Sequence, residues 1–189
     1  VLRENIVLMG CASGLGLLAH RLNASNGCGR FVWIQRSSGD SLKSLSLGET
    51  HIAGIHPSKS CGHKAHVTEA NRLRFNESIS FFALGLWEIG IISRKNAKRP
   101  VKSIEDLTMP GLRLVGREKN AGTQRLLERE FHRRKLPAKL ISDPYLRVNT
   151  HTDVANSIVL GAADAGVVPR DIATDFNLDF FPLVEERFD

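Results

Sequence analysis

Four stretches of this sequence put small or hydroxyl-bearing residues where a helix is about to begin. They are Gly10-Cys11-Ala12-Ser13-Gly14, Ser37-Ser38-Gly39, Asn120-Ala121-Gly122-Thr123 and Asn149-Thr150-His151-Thr152. The first turn of a helix has N–H groups without intrahelical acceptors and carries the positive end of the helix dipole; small side chains let an anion reach both. Several such starts converging on one cleft would hold an oxyanion without any side-chain cation. The plain alternative is that Ser, Thr and Asn at helix starts are caps. Recurrence of the pattern directly behind strands is what favours a ligand.

The candidate ligand-binding residues are therefore Cys11, Ser13, Ser37, Ser38, His56, Arg117, Ala121, Thr123 and Thr150. Arg117 offers a bidentate fork for an oxyanion or carboxylate, or else a salt bridge to Glu118 or Glu88. His51 and His56 are five residues apart on or just past one strand and so point to opposite faces. His51 reads as a hydrogen-bonded sheet residue and His56, at the strand end, as a cleft residue. His51, His56, His63 and His66 lack metal-ligand spacing on a structured element, so no metal is expected. Cys11 at a helix start has the setting of a nucleophile, but no base is supplied with any specificity, and it reads as a packing residue in a tight turn. Asp164 is expected to accept backbone N–H groups. No residue is assigned a catalytic role and the chain is not read as an enzyme.

The elements that must position these residues begin as strand, glycine turn, helix: Asn5–Met9, Gly10–Gly16, then Leu17, Leu18 and Leu22 on one helical face. Phe31–Gln35 is a second strand, a helix carrying Leu42, Leu45 and Leu47 follows, and Thr50–Ile55 is a third strand. This β-α-β-α-β alternation predicts a parallel sheet with helices on its faces, and open sheets of that kind gather ligands outside the carboxyl ends of their strands. Residues 57–77 read as a polar surface excursion. Ile79–Ile92 is one long or two successive apolar strands, Lys95–Pro100 a basic loop, and Ser103–Leu107 a short capped helix. Leu112–Val115, Ala165–Val168 and Phe180–Val184 read as strands, and Ala121–Lys135 and Thr150–Leu160 as helices.

The 189 residues suffice for one domain or two small lobes, with 42% hydrophobic and 24% charged residues. The apolar runs Ser80–Leu86 and Ile89–Ile92 are far shorter than the roughly 20 residues of a membrane helix, so no membrane insertion is expected. A net charge of +6 suits an anionic partner. The basic clusters Arg94–Arg99 and Arg129–Lys135 do not alternate with aromatics, which argues against direct nucleic-acid binding. Cys11, Cys28 and Cys61 cannot all pair internally, which points to a reducing compartment, with a periplasmic or secreted one as the alternative. The opening at Val1, with no signal segment, reads as an excised domain or processed product.

Gly10-Cys-Ala-Ser-Gly14-Leu-Gly16 also matches the G-x-x-x-G-x-G turn of short-chain dehydrogenases, an NAD(P)-binding alternative. Those enzymes use a Tyr with a Lys four residues on, and the single tyrosine, Tyr145, has Asn149 there.

Taken in order, several motifs resemble those of the PBP-like domain family, a branch of the type 2 periplasmic-binding-protein fold. They are Gly48-Glu-Thr-His-Ile-Ala-Gly-Ile-His56, Trp87-Glu-Ile-Gly-Ile-Ile92, Ser103–Leu107, Gly116-Arg-Glu-Lys-Asn-Ala-Gly-Thr-Gln-Arg-Leu-Leu127, His151-Thr-Asp-Val-Ala155, Gly161-Ala-Ala-Asp-Ala-Gly166 and Leu178-Asp-Phe-Phe-Pro-Leu183. The resemblance implies a two-lobed α/β cleft binder, each lobe a mixed, mostly parallel sheet flanked by helices. It also implies kinship with molybdate- and tungstate-binding proteins and with sensor domains fused to a DNA-binding helix-turn-helix, or a transporter as partner. Lobe I would hold residues 1–85 and 166–189 and lobe II residues 86–165, with hinges near 84–89 and 163–168 and the ligand caught between them. Gly116, Ala121 and Gln124 stand where the family pattern has Asn, Ser and Arg. Each departure removes a polar group from the second lobe's helix start and leaves room for a larger organic anion.

Overall fold

The computed structural model describes residues 5–25, 30–56, 70–73, 75, 78–119 and 121–189. Cys28, Cys61, His63, His66 and Asn120, with most of the 57–77 excursion, lie outside these. The chain divides into two compact units, Val1–Gly85 with Arg187–Asp189, and Leu86–Glu186.

The first unit follows the expected alternation: β1 (Asn5–Gly10), α1 (Ser13–Ser25), β2 (Arg30–Gln35), α2 (Ser38–Ser46) and β3 (Ile52–Ala53). Its strands are parallel in the order β2-β1-β3. The central strand buries Val7, Leu8, Met9 and Gly10 in succession, as a strand covered on both faces must. The third strand is shorter than Thr50–Ile55 because side chains and the chain's end take over its pairing. The His51 ring accepts from Val7 N at 3.0 Å and Thr50 Oγ1 donates to Val7 O at 2.8 Å. Beyond β3, Ile55 exchanges backbone bonds with Asp189 at 2.8 and 2.9 Å. The buried face of α1 is set by Leu15 and Ala19, while Leu17 is exposed. The face expected from Leu17, Leu18 and Leu22 is rotated because Leu15 packs over Gly10 and Gly54 of the sheet.

The second unit holds β4 (Gly85–Ser93) from Leu86 on, a 3-10 turn (Glu105–Thr108), β5 (Val115–Arg117), α3 (Gly122–Arg133), α4 (Lys139–Ser142), β6 (Leu146–Val148), α5 (His151–Val159), β7 (Ala165–Pro169), α6 (Arg170–Asp175) and β8 (Asp179–Phe188) as far as Glu186. β4 lies between β7 and β8, antiparallel to β7 from Ile89↔Pro169 to Ser93↔Ala165. β5 and β6 are parallel, and a parallel bridge Leu114↔Ala165 joins them to β7. Residues 166–186, expected in the first lobe, pack in the second unit because β7 pairs along β4 and Val167 and Val168 enter its core. The expected strand Leu112–Val115 is displaced to Val115–Arg117, since Arg113 is tied to the turn at Asp164. The apolar stretch from Ile79 becomes a strand only at Gly85. Ile89, Ile91, Leu126, Leu127 and Phe131 anchor one core cluster, and Ile92, Val115, Val154, Ala155 and Ile158 another, so α3 and α5 each bury the apolar face of their sequence. Among the described residues no helix is long and apolar enough to cross a membrane.

Candidate functional site

In the first unit, the ends of β1 and β3 and the start of α2 bring Cys11, Ser38 and His56 together. Cys11 Sγ lies 3.9 Å from Ser38 Oγ, which also accepts from His56 N at 3.3 Å. All three are buried, and the His56 ring stacks on Phe188 with centroids 6.4 Å apart. This is the carboxyl edge of a parallel sheet, where loops and helix starts converge. Ser13 opens α1 and is exposed. Ser37 is the N-cap of α2: its Oγ accepts from Asp40 N at 3.2 Å and donates to Asp40 Oδ2 at 2.7 Å. Its oxygen thus does the ordinary work of a cap.

In the second unit the corresponding edge is the end of β5 and β6 with the starts of α3 and α5. Arg117, 4% exposed, donates from Nε and Nη2 to both oxygens of Glu118 at 2.9 Å and from Nη2 to Asn149 O at 2.7 Å. Its Nη1 lies 2.9 Å from His151 Nδ1. A guanidinium can only donate, so Nδ1 accepts and the imidazole carries its proton on Nε2. The His151 ring is buried and meets Trp87 edge-on at 6.3 Å. Of the two salt-bridge partners considered for Arg117, Glu118 is the one used, while Glu88 pairs with Arg170, whose guanidinium holds that carboxyl below its ordinary range.

Just after β5, α3 begins without a side-chain cap: Ala121 occupies the N-cap position and offers no side-chain oxygen. Thr123, in the first turn, is 1% exposed and its Oγ1 has no hydrogen-bond partner among the described residues. An unmatched buried hydroxyl costs about 1–3 kcal/mol, so natural structures keep few of them. Thr150, by contrast, caps α5, its Oγ1 accepting from Asp153 N at 3.0 Å.

The departures from the family pattern are coupled. Gln124 is buried; its Oε1 accepts from Arg117 N at 3.1 Å and its Nε2 donates to Ile141 O at 3.3 Å. A Cβ on Gly116 would come 2.9 Å from Pro144 and 3.2 Å from that same Oε1. Gln124 therefore fills the space that a larger residue at 116 would need. The sequence reading missed His151, Asn149 and Gln124 as parts of this network; the signal for His151 was its place in the first turn of a helix directly after a strand. Asp164 does accept a backbone N–H, from Arg113 at 2.8 Å, and His51 is the hydrogen-bonded sheet residue expected.

The glycine turn has a packing explanation. A Cβ on Gly10 would lie 2.4 Å from Leu15, and one on Gly16 would lie 2.6 Å from the Trp33 ring. Those glycines let α1 sit close on β1 and β2, which accounts for them without a dinucleotide.

A family model, the PBP superfamily domain, matches residues 19–189. The uncharacterized protein YvgK of Bacillus subtilis (strain 168) is 24% identical over 155 residues, which is 82% of this chain and 50% of YvgK, so the chain spans about half the length of that relative. PhnD1 from Prochlorococcus marinus (MIT 9301), solved in complex with methylphosphonate, is similar with a TM-score of 0.64 at 12% identity, over 98% of this chain and 75% of that one. The bromide-bound regulatory domain of HypT from Salmonella typhimurium is similar with a TM-score of 0.67 at 14% identity, over 100% of this chain and 84% of that one. At these identities the structural likeness is one of fold, a mixed α/β fold of the type 2 periplasmic-binding-protein kind. With the family model spanning residues 19–189, the chain belongs to the PBP superfamily.

Proposed function

We propose that this PBP-superfamily domain binds a small anion, as the ligand-binding part of a sensor or solute-uptake system, and is not an enzyme. The observation that carries this reading is Thr123 Oγ1: a buried hydroxyl without a partner among the described residues, in the first turn of α3, which has no side-chain cap. That turn needs an acceptor with charge, which an anion supplies to the hydroxyl and the first-turn amides together. Arg117 is held by Glu118 and Asn149 and fixes the His151 tautomer, so that Nε2 presents a proton and not a lone pair. PhnD1 with methylphosphonate and HypT with bromide are relatives in fold that hold anions, which agrees in class.

The ligand we propose is an oxyanion such as molybdate or tungstate, or a larger organic anion, engaged at the polar edge of the second unit. The NAD(P) alternative loses its main support, because Gly10 and Gly16 are required by Leu15 and Trp33. A thermal-shift panel of molybdate, tungstate, sulfate, phosphate, methylphosphonate and small carboxylates, with NAD(P) included, tests the proposal. An anion at 100 times its dissociation constant stabilises by about 2.7 kcal/mol. Stabilisation by one anion that is lost in Thr123→Val supports the reading; a shift with NAD(P) alone, or with no anion, overturns it.

A further inference from the structure

α5 connects two chemically different ends of the second unit. Its start carries His151; Gly161 and Ala163, just past its end, line a pocket of about 460 Å³ together with Arg94, Lys98, Arg99, Arg113 and Asp164. Arg94 Nη2 donates to Ile158 O and Val159 O at 2.9 and 3.3 Å, and Arg113 Nη1 donates to Gly161 O at 2.9 Å. These carbonyls are the negative end of the helix dipole and anchor the two guanidiniums in the wall. Gly161, with φ +78°, makes the turn that aims its carbonyl at Arg113. The acceptors carry only the partial charge of a helix end, so they fix the cations while offsetting only part of their charge.

Arg113 meets a carboxylate, in a fork to Asp164 at 2.6 and 3.1 Å. Lys98 and Arg99 are exposed on the basic loop, Arg99 steadied by Pro110 O at 3.0 Å. The lining thus sets four cations, Arg94, Lys98, Arg99 and Arg113, against the one carboxylate of Asp164, which leaves three positive charges uncompensated within it. Tyr145 stacks under Arg113, 5.7 Å to the ring centroid, but does not line the pocket, so no aromatic wall is offered to a flat ring.

We propose that this pocket is a second anion site, taking condensed phosphate (a diphosphate or triphosphate group, free or on a nucleoside) by its charge. A phosphoryl group carries a charge of about −1.5 to −2, so two together match three cations better than one does. Recognition by charge without a stacking wall makes affinity rise with phosphate number and stay indifferent to the base. The site stands at the opposite end of α5 from His151 and does not depend on the Thr123 reading.

Isothermal titration of the whole chain with inorganic phosphate, pyrophosphate, triphosphate and ATP tests this. Pyrophosphate is expected to bind at least tenfold tighter than phosphate, with ATP close to triphosphate and all three weakened by added salt. Lys98→Ala with Arg99→Ala, and the stronger Lys98→Glu with Arg99→Glu, should cut pyrophosphate affinity tenfold or more at an unchanged melting temperature, and Thr123→Val should not alter it. Equal affinity for phosphate and pyrophosphate, loss in Thr123→Val with retention in the Lys98/Arg99 variants, or no binding at all would overturn the proposal. ATP binding far tighter than triphosphate would overturn recognition by charge alone.

Discussion

Arg117 Nη1 and His151 Nδ1 meet at 2.9 Å across 34 residues of sequence, both side chains buried. The pair joins the end of β5 to the start of α5. Because the guanidinium is also engaged by Glu118 and Asn149, its part at this edge is to orient the imidazole and fasten two strand ends.

Replacing Arg117 should therefore show first in stability. Arg117→Met leaves Glu118 without its fork and Asn149 O without a donor. Breaking a buried pair costs about 3–5 kcal/mol; with Glu118 26% exposed, the expectation is nearer 2–3 kcal/mol in urea unfolding. A loss below about 0.5 kcal/mol would show the network to be incidental.

Thr123→Val should separate stability from binding. Removing an unmatched buried hydroxyl in favour of an isosteric methyl is close to neutral or stabilising by up to about 1 kcal/mol. The same change removes a hydrogen bond to a charged ligand and should weaken the anion about tenfold or more. A destabilised ligand-free protein would mean that Oγ1 has an internal partner in solution.

Asp164 should shape the acid limb of the stability profile. The Arg113 guanidinium, with desolvation opposing it, holds the Asp164 carboxyl below its ordinary range. A carboxyl depressed in the folded state contributes stability above its unfolded pKa, near 4, and loses it as pH falls through the lower folded value. Asp164→Asn should cost on the order of 1 kcal/mol at pH 7, the side chain being 40% exposed, and the difference from the parent should shrink below pH 4. A difference that stays constant down to pH 2 would count against the pairing.

Gly90→Ala tests the approach of β8 to β4. An added Cβ would lie 2.3 Å from Phe181 O and 2.5 Å from the Phe180 ring, one of them backbone that cannot step aside. Destabilisation of about 3 kcal/mol is expected from thermal or urea melts. Tolerance of alanine would mean that the two strands separate easily.

The opening β-α-β-α-β run was legible because local rules suffice there. Short continuous apolar runs and glycine turns marked β1, β2 and α1, and strict packing at Gly10 and Gly16 leaves its trace in composition. The apolar spacing of Leu126, Leu127 and Phe131 likewise reported a buried helix face. α4, β6 and α6, at four, three and six residues, are too short for any period to register. The rotation of α1 onto Leu15 was hidden for another reason: which face is buried depends on where the sheet lies.

At the site, residue types announced donors at helix starts, and they distinguished Asp164 and His51 as structural. Long-range pairing decided the rest. Ser37 and Thr150 spend their oxygens as local caps on Asp40 N and Asp153 N, three residues on, whereas Thr123 lies inside its helix and its burial comes from packing that no local spacing announces. Arg117 looked like a ligand fork until Glu118, Asn149 and His151 were brought around it. A hydrogen bond between residues 34 positions apart is a property of the register of β5 on β6 and the placement of α5, not of either residue's neighbours in the chain. Composition and spacing thus determine that donors are present at strand ends; only the folded packing decides which of them are already satisfied, and so which can meet a ligand.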